Sequence, residues 1–149
     1  MLCATKALLD ATPSLSDLLR PIVSPTTSIV LLQNGVGAEI PLHESVPDNT
    51  IISAVVWTGA KSVEGGVEQF NEEGLTIGVD YRDGGNTKVK EEEDGRLREL
   101  TGWLEKGGGS CNVTEDIQSQ RWIKVIWWVL LHSRYGRKCL RNWCRNCCW

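Results

Sequence analysis

At 149 residues the chain suits one domain with a modest core. A net charge of −3 and an isoelectric point near 5.4 argue against a nucleic-acid binder. The longest apolar run, Val125 to Leu131, is far too short to cross a bilayer, and no charged-then-apolar leader opens the sequence, so the expectation is a cytoplasmic protein with no membrane partner. The charge is unevenly placed. Residues 1–126 hold 11 Lys/Arg against 19 Asp/Glu, whereas residues 127–149 hold five basic residues and no acidic ones. Four of the seven Trp and four of the six Cys also fall in that last stretch, which separates it in character from the rest.

In chain order, Met1 to Thr5 reads as a short buried strand starting at the first residue, the pattern expected of a domain cut within a strand, and Lys6 stands at its carboxyl end. Thr12-Pro13-Ser14 signals a helix start, and Leu15, Leu18, Leu19 and Ile22 recur at helical spacing up to Pro25. Ser28 to Leu32 is continuously apolar or small with no polar alternation, which predicts a strand buried on both faces of a parallel sheet. The strand–helix–strand order favours a parallel pair joined by a right-handed crossover. The run ends in Gln33-Asn34-Gly35-Val36-Gly37, where two glycines let the backbone turn tightly and approach a ligand closely. At the carboxyl edge of an open α/β sheet such a loop is a ligand position; the same Asn-Gly pair also suits a plain hairpin turn. It is not a GxGxxG phosphate cradle, because the sixth position counted from Gly35 is Ile40.

A short helix is expected over Ala38–Ser45 and a third apolar strand over Ile51–Trp57. Gly66–Phe70 and Leu75–Val79 alternate more and flank Asn71-Glu72-Glu73-Gly74, which predicts an antiparallel hairpin at the sheet edge. The polar stretch from Tyr81 to Asp94 reads as a solvated loop. Leu97, Leu100, Trp103 and Leu104 then mark an amphipathic helix that stops at Gly107-Gly108-Gly109. Cys111–Val113 gives one more short strand. Thr114-Glu115-Asp116 caps a helix with Trp122, Val125 and Ile126 on one face. The fold class is α/β.

Ala4-Thr5-Lys6-Ala7, Leu31-Leu32-Gln33-Asn34-Gly35-Val36-Gly37, Gly66-Val67 with Leu75-Thr76-Ile77-Gly78, and Asp116-Ile117 with Trp122-Ile123-Lys124 follow in one collinear series. That series, across roughly residues 2–126, resembles the ketopantoate reductase (2-dehydropantoate 2-reductase) family. The resemblance implies an NADPH-dependent reduction of the keto acid 2-dehydropantoate to pantoate, toward pantothenate and coenzyme A. It implies a Rossmann-like domain followed by a helical domain, with the active site between them. By motif, Lys124 is the catalytic lysine, and Lys6, Asn34 and Gly35 lie at the cofactor and substrate. These residue types suit the chemistry. Hydride addition to a ketone builds negative charge on oxygen, which an ammonium stabilises and protonates. The Asn34 amide orients a carbonyl or carboxamide without adding charge.

The sequence departs from the family pattern in three places. No GxGxxG turn precedes the first strand, which corresponds to the fourth of the Rossmann-like domain. Trp128 stands where the family has an Asn on the lysine's helix. The likeness ends at Ile126. The expected organisation is thus a partial Rossmann-like domain over 1–114, the start of the helical domain over 115–126, and an irregular Trp/Cys/Arg-rich tail over 127–149. A fragment of this kind is expected to turn over weakly or not at all alone. The alternative expectation is a non-catalytic interaction module that self-associates through an exposed sheet edge. Cys139, Cys144 and Cys147 copy part of a plant-type iron–sulfur spacing, but the distant fourth cysteine is missing and no metal is expected.

Overall fold

The computed structural model describes residues 1–7, 10–69, 74–81 and 87–134, with side chains through residue 129. Strand β1 (Leu2–Cys3) leads to helix α1 (Leu15–Leu19), which is capped by Ser14: its hydroxyl accepts from the Asp17 amide while the Asp17 carboxylate accepts from the Ser14 amide. Strand β2 (Ile29–Leu31), helix α2 (Ile40–Ser45) and strand β3 (Ile51–Val56) follow. Next come β4 (Ala60–Val63), β5 (Gly66–Gln69), β6 (Leu75–Val79), α3 (Thr87–Lys106), β7 (Cys111–Val113) and α4 (Ile117–Arg134).

The main sheet has the order β1-β2-β3-β6-β7. β1, β2 and β3 run parallel, with Leu2 beside Val30 and Ile29 beside Ile51. β6 lies antiparallel to β3 and β7 parallel to β6. The central strands are apolar on both faces because both faces are covered. Ile29, Leu31 and Ile51 pack with Leu19 of α1 and Leu42 of α2 on one side. Val30, Ile52, Ala54, Ile77 and Val79 pack with Leu97 of α3 on the other. Each such side chain taken fully out of water contributes about 1.5–3 kcal/mol before the entropy of ordering is set against it.

The α/β class and the parallel strands follow the sequence reading; several local expectations are corrected. The antiparallel hairpin is formed by β4 and β5, in a sheet of their own, and Leu75–Val79 instead enters the main sheet beside β3. The reason is the two-residue turn Glu64-Gly65, with Gly65 at φ +85°, which suits a tight hairpin better than the longer 71–74 connection. The region read as a solvated loop from Tyr81 to Asp94 becomes helical from Thr87, since Lys and Glu are good helix formers that can face water. Trp103 is exposed, so the inner face of α3 is Leu97, Leu100 and Leu104. Helix α1 stops at Leu19; Leu18 within it and Ile22 beyond it are both exposed.

Helix α4 differs most from expectation. Trp122 and Ile126 are more than half exposed, and the residues turned inward are Ile117 and Arg121, at 2% exposure each. The helix lies along β3 and β6, over a floor of small residues: Ser53 and Gly78 are register partners on adjacent strands. The helix runs on through Trp127 to Arg134. The remainder of the expected tail, with Cys139, Cys144, Cys147 and Cys148, lies outside the described residues. Among the described residues no helix is long and apolar enough to cross a membrane.

Gly78 marks how closely α4 approaches. A Cβ there would fall 2.5 Å from the Thr114 carbonyl oxygen and 3.1 Å from Ile117 Cβ, so the start of α4 must shift to admit it. Gly78→Ala is therefore expected to lower stability by about 1–3 kcal/mol. The check is a urea denaturation midpoint that falls while the slope stays constant.

Candidate active site at the carboxyl edge of the sheet

The carboxyl ends of the three parallel strands place Thr5-Lys6, Gln33-Asn34-Gly35 and Val56-Trp57 along one edge, the ligand-binding edge of open α/β sheets. Gln33, buried at 5% exposure, ties two of these ends together. Its Nε2 donates to Thr5 Oγ1 at 3.0 Å and to the Lys6 carbonyl at 3.5 Å. Its Oε1 is buried with no hydrogen-bond partner among the described residues. The loop after Gln33 carries Gly35 at φ +97° and Gly37 at φ +91°, conformations that L side chains rarely adopt. Among the described residues, its chain neighbours aside, no heavy atom stands within 4 Å of where a Gly35 Cβ would project.

Lys124 reaches this edge from α4. Its Nζ donates to Asn34 Oδ1 at 2.8 Å and to the Val56 carbonyl at 2.5 Å, and it lies 5.5 Å from the centroid of the Trp57 ring. Trp57 is itself anchored, its Nε1 donating to Thr76 Oγ1 at 3.0 Å. Among the described residues the partners of Lys124 are thus two neutral oxygens and a π face, with no carboxylate. Burial pushes its pKa below the ordinary lysine value. An ammonium has three protons, so beyond the two acceptors among the described residues one can donate to a ligand oxygen.

Behind Lys124 the inward stripe of α4 is polar. Arg121 Nη1 donates to Glu39 Oε2 at 2.7 Å and to Ser53 Oγ at 2.8 Å, and Arg121 Nε donates to the Gly35 carbonyl at 2.9 Å. Both partners of the ion pair are buried, at 2% and 6% side-chain exposure. Glu39 Oε1 accepts from the Gly37 amide at 3.1 Å and from Gln118 Nε2 at 2.7 Å. Gln118 also donates to Asp80 Oδ2 at 2.5 Å, and Asp80 Oδ1 lies 3.0 Å from His43 Nε2. A cleft of about 380 Å³ opens beside this end of the network, lined by Glu39, His43, Asp80, Tyr81 and Gln118 among others.

Of the residues singled out in the sequence, the fold brings Asn34 and Lys124 into contact across 90 positions. Gly35 is joined to the same helix through Arg121. Lys6 is exposed at the end of β1 and is linked to Gln33 through its backbone. Sequence reasoning passed over Glu39, Gln118 and Arg121. The available signal was Gln118, Arg121 and Lys124 at three-residue intervals, a polar stripe along one face of the helix. Trp128 is partly exposed and meets Trp127 edge-on, with ring centroids 6.5 Å apart. Among the described residues no group of three or more His, Cys, Asp or Glu could hold a metal ion.

The chain and its fold are similar to known proteins. A family model described as Ketopantoate reductase PanE/ApbA matches residues 1–81. A 2-dehydropantoate 2-reductase from Nostoc sp. is 29% identical over 114 residues, covering 76% of this chain and 34% of that protein. The crystal structure of 2-dehydropantoate 2-reductase from Methylococcus capsulatus superposes with a TM-score of 0.63 at 29% identity, over 85% of this chain and 37% of the other. The enzyme of that name from Geobacter metallireducens gives 0.63 at 28% identity, over 85% and 38%. The chain spans about a third of the length of the curated relative it matches.

Two outcomes test the site as built. Glu39→Ala leaves the Arg121 guanidinium buried without its carboxylate and is expected to cost about 3–5 kcal/mol in equilibrium unfolding. Asn34→Asp sets a carboxylate beside Lys124 Nζ, which favours the ammonium and moves the Lys124 pKa upward. NMR titration of ¹⁵Nζ-labelled lysine checks the direction.

Proposed function

Because the chain belongs to the ketopantoate reductase family, we propose that its carboxyl-edge site serves the reduction of 2-dehydropantoate to pantoate with NADPH, a step toward pantothenate. The observation that carries this reading is the Lys124–Asn34 contact at 2.8 Å, set at the ends of three parallel strands. The group present at that edge fits the reacting end of such a cofactor and a keto acid. It offers an exposed amide, an exposed lysine, open space above Gly35 and, among the described residues, an ammonium with two acceptors for its three protons. The sequence carries no GxGxxG turn for the pyrophosphate. The 149 residues therefore supply the carbonyl end of the site and turn over weakly by themselves.

When bound, the nicotinamide supplies a hydride to the substrate carbonyl carbon. The protein's part is electrostatic and protonic. Lys124 Nζ offers its free proton to the carbonyl oxygen, stabilises the negative charge that grows there and then protonates it. Burial that lowers the Lys124 pKa makes the ammonium a better acid for that transfer. Asn34 Oδ1 and the Val56 carbonyl hold the ammonium in place, and the Trp57 ring shields it on one side. Lys6 and the Gly35 backbone border the cofactor side.

The alternative reading, a non-catalytic module that self-associates through an exposed sheet edge, takes support from β1, an edge strand of the main sheet with Leu2 61% exposed, and from the outer face of α4. Trp122, Ile126, Trp127 and Val129 are each 52–62% exposed there. Sedimentation velocity over a concentration series separates the readings on this point, since a clean monomer removes the module.

For the reductase reading, calorimetry is expected to show NADPH and 2-dehydropantoate binding to the chain, with Lys124→Ala weakening the keto acid. NADPH oxidation followed by absorbance is expected to be slow and to fall at least ~10²-fold in Lys124→Ala. The rate should decline on the alkaline side at a pH below the ordinary lysine value, because the reactive form is the ammonium and its pKa is lowered. Absence of both binding and oxidation overturns the proposal.

A further inference from the structure

We infer that Arg121 is a positioning residue, which sets the Asn34–Lys124 contact by gripping the backbone on both sides of Asn34 from the helix that carries Lys124. The role in catalysis rests on the reductase reading above; the positioning itself does not. Arg121 precedes Lys124 by three residues, close to one turn of α4, so the two side chains emerge on neighbouring positions of one face. The Arg121 guanidinium donates from Nε to the Gly35 carbonyl at 2.9 Å and, in a longer contact, from Nη2 to the Gln33 carbonyl at 3.5 Å. Those two carbonyls flank Asn34. With the peptides before and after it held, the direction in which Asn34 projects is fixed relative to α4.

The grip depends on the shape of this side chain. A guanidinium is planar, permanently charged and carries five donors in a fixed fork, so it can satisfy a carboxylate, a hydroxyl and backbone carbonyls at once. Its Nη1 is committed to Glu39 and Ser53, which fixes the plane and aims Nε at the loop. Glu39 closes the arrangement by accepting from the Gly37 amide at 3.1 Å, so the loop is also held beyond Gly35. Gly35 contributes its φ of +97°, a conformation in which L residues are strained. None of these bonds touches Lys124 or Asn34 directly, yet together they determine whether the two meet.

The test compares Arg121→Lys with the native chain. Lysine keeps a cation for Glu39 but cannot reproduce the fork, so the fold is expected to survive while the loop loosens. Water then reaches Lys124 Nζ, and its NMR titration midpoint moves upward toward the ordinary lysine value. Lys61→Ala, which removes an ion pair with Glu68 in the separate β4–β5 sheet, is expected to leave the Lys124 midpoint in place. A folded Arg121→Lys variant with an unchanged Lys124 midpoint overturns the inference. Should Arg121→Lys fail to fold, the native chain decides: the Arg121 Nε–H resonance is expected to move as Lys124 titrates, and a resonance indifferent to that titration overturns the inference. With turnover as an added readout, Arg121→Lys is expected to lose about 10²-fold in kcat. A native chain that neither binds NADPH and keto acid nor turns over, but shows linked Arg121 and Lys124 signals, sinks the reductase reading and leaves the positioning role standing.

Discussion

The buried Arg121–Glu39 pair is the interaction on which the rest of this structure depends. It joins the last helix to the loop after the second strand, and through them to the floor of the sheet. Moving two charges out of water costs several kcal/mol per ion unless the remaining donors and acceptors are met. Here they are met by Ser53, Gly35, Gly37 and Gln118. An apolar helix face would bind the sheet with less exacting geometry and could slide. A fully bonded polar seam admits one alignment, and that alignment puts Lys124 at the sheet edge.

The seam also explains the composition of the strands beneath it. Over α1 and α2 the sheet offers Ile29, Leu31 and Ile51, and the helices answer with leucine. Under α4 the adjacent pair is Ser53 and Gly78, and the helix comes close enough for the backbone of Thr114 to lie against the glycine. The same face of one sheet thus carries an apolar part that supplies stability and a small, polar part that supplies position. At the far end of α4, Gln118 and Asp80 continue the seam to His43 of α2, so the helix is fixed at both edges of β3.

What the sequence disclosed divides along physical lines. Strands buried on both faces declare themselves by unbroken apolar runs, and β2 and β3 were legible for that reason. Glycine-rich turns after such runs point to the sheet edge, which made the Asn34 loop legible too. The hairpin partner was not, because Ala60–Val63 is a polar, exposed strand with no alternation to detect, and its turn at Gly65 is the stronger signal. The inward face of α4 was missed. Hydrophobic periodicity assumes that the apolar face is the buried one, and here the buried face is Ile117, Gln118, Arg121 and Lys124, while Trp122, Ile123 and Ile126 face outward. Asn34 and Lys124 were found through family resemblance; the residues that hold them were not, since their partners lie 68–86 positions away.

The absence of a carboxylate from the Lys124 contacts has a consequence at longer range. The molecule as a whole is anionic, with a net charge of −3, so an anionic ligand meets a weakly repulsive field at a distance. Close to the sheet edge it meets an ammonium whose partners among the described residues are neutral oxygens and an indole, with exposed Lys6 on the neighbouring strand end. Repulsion and attraction therefore act on different length scales, divided by a Debye length of about 8 Å at physiological ionic strength. Added salt screens the distant repulsion first, so encounter rates for anions at this edge should be unusually tolerant of ionic strength. The opposite behaviour belongs to proteins that steer anions with a broad positive surface.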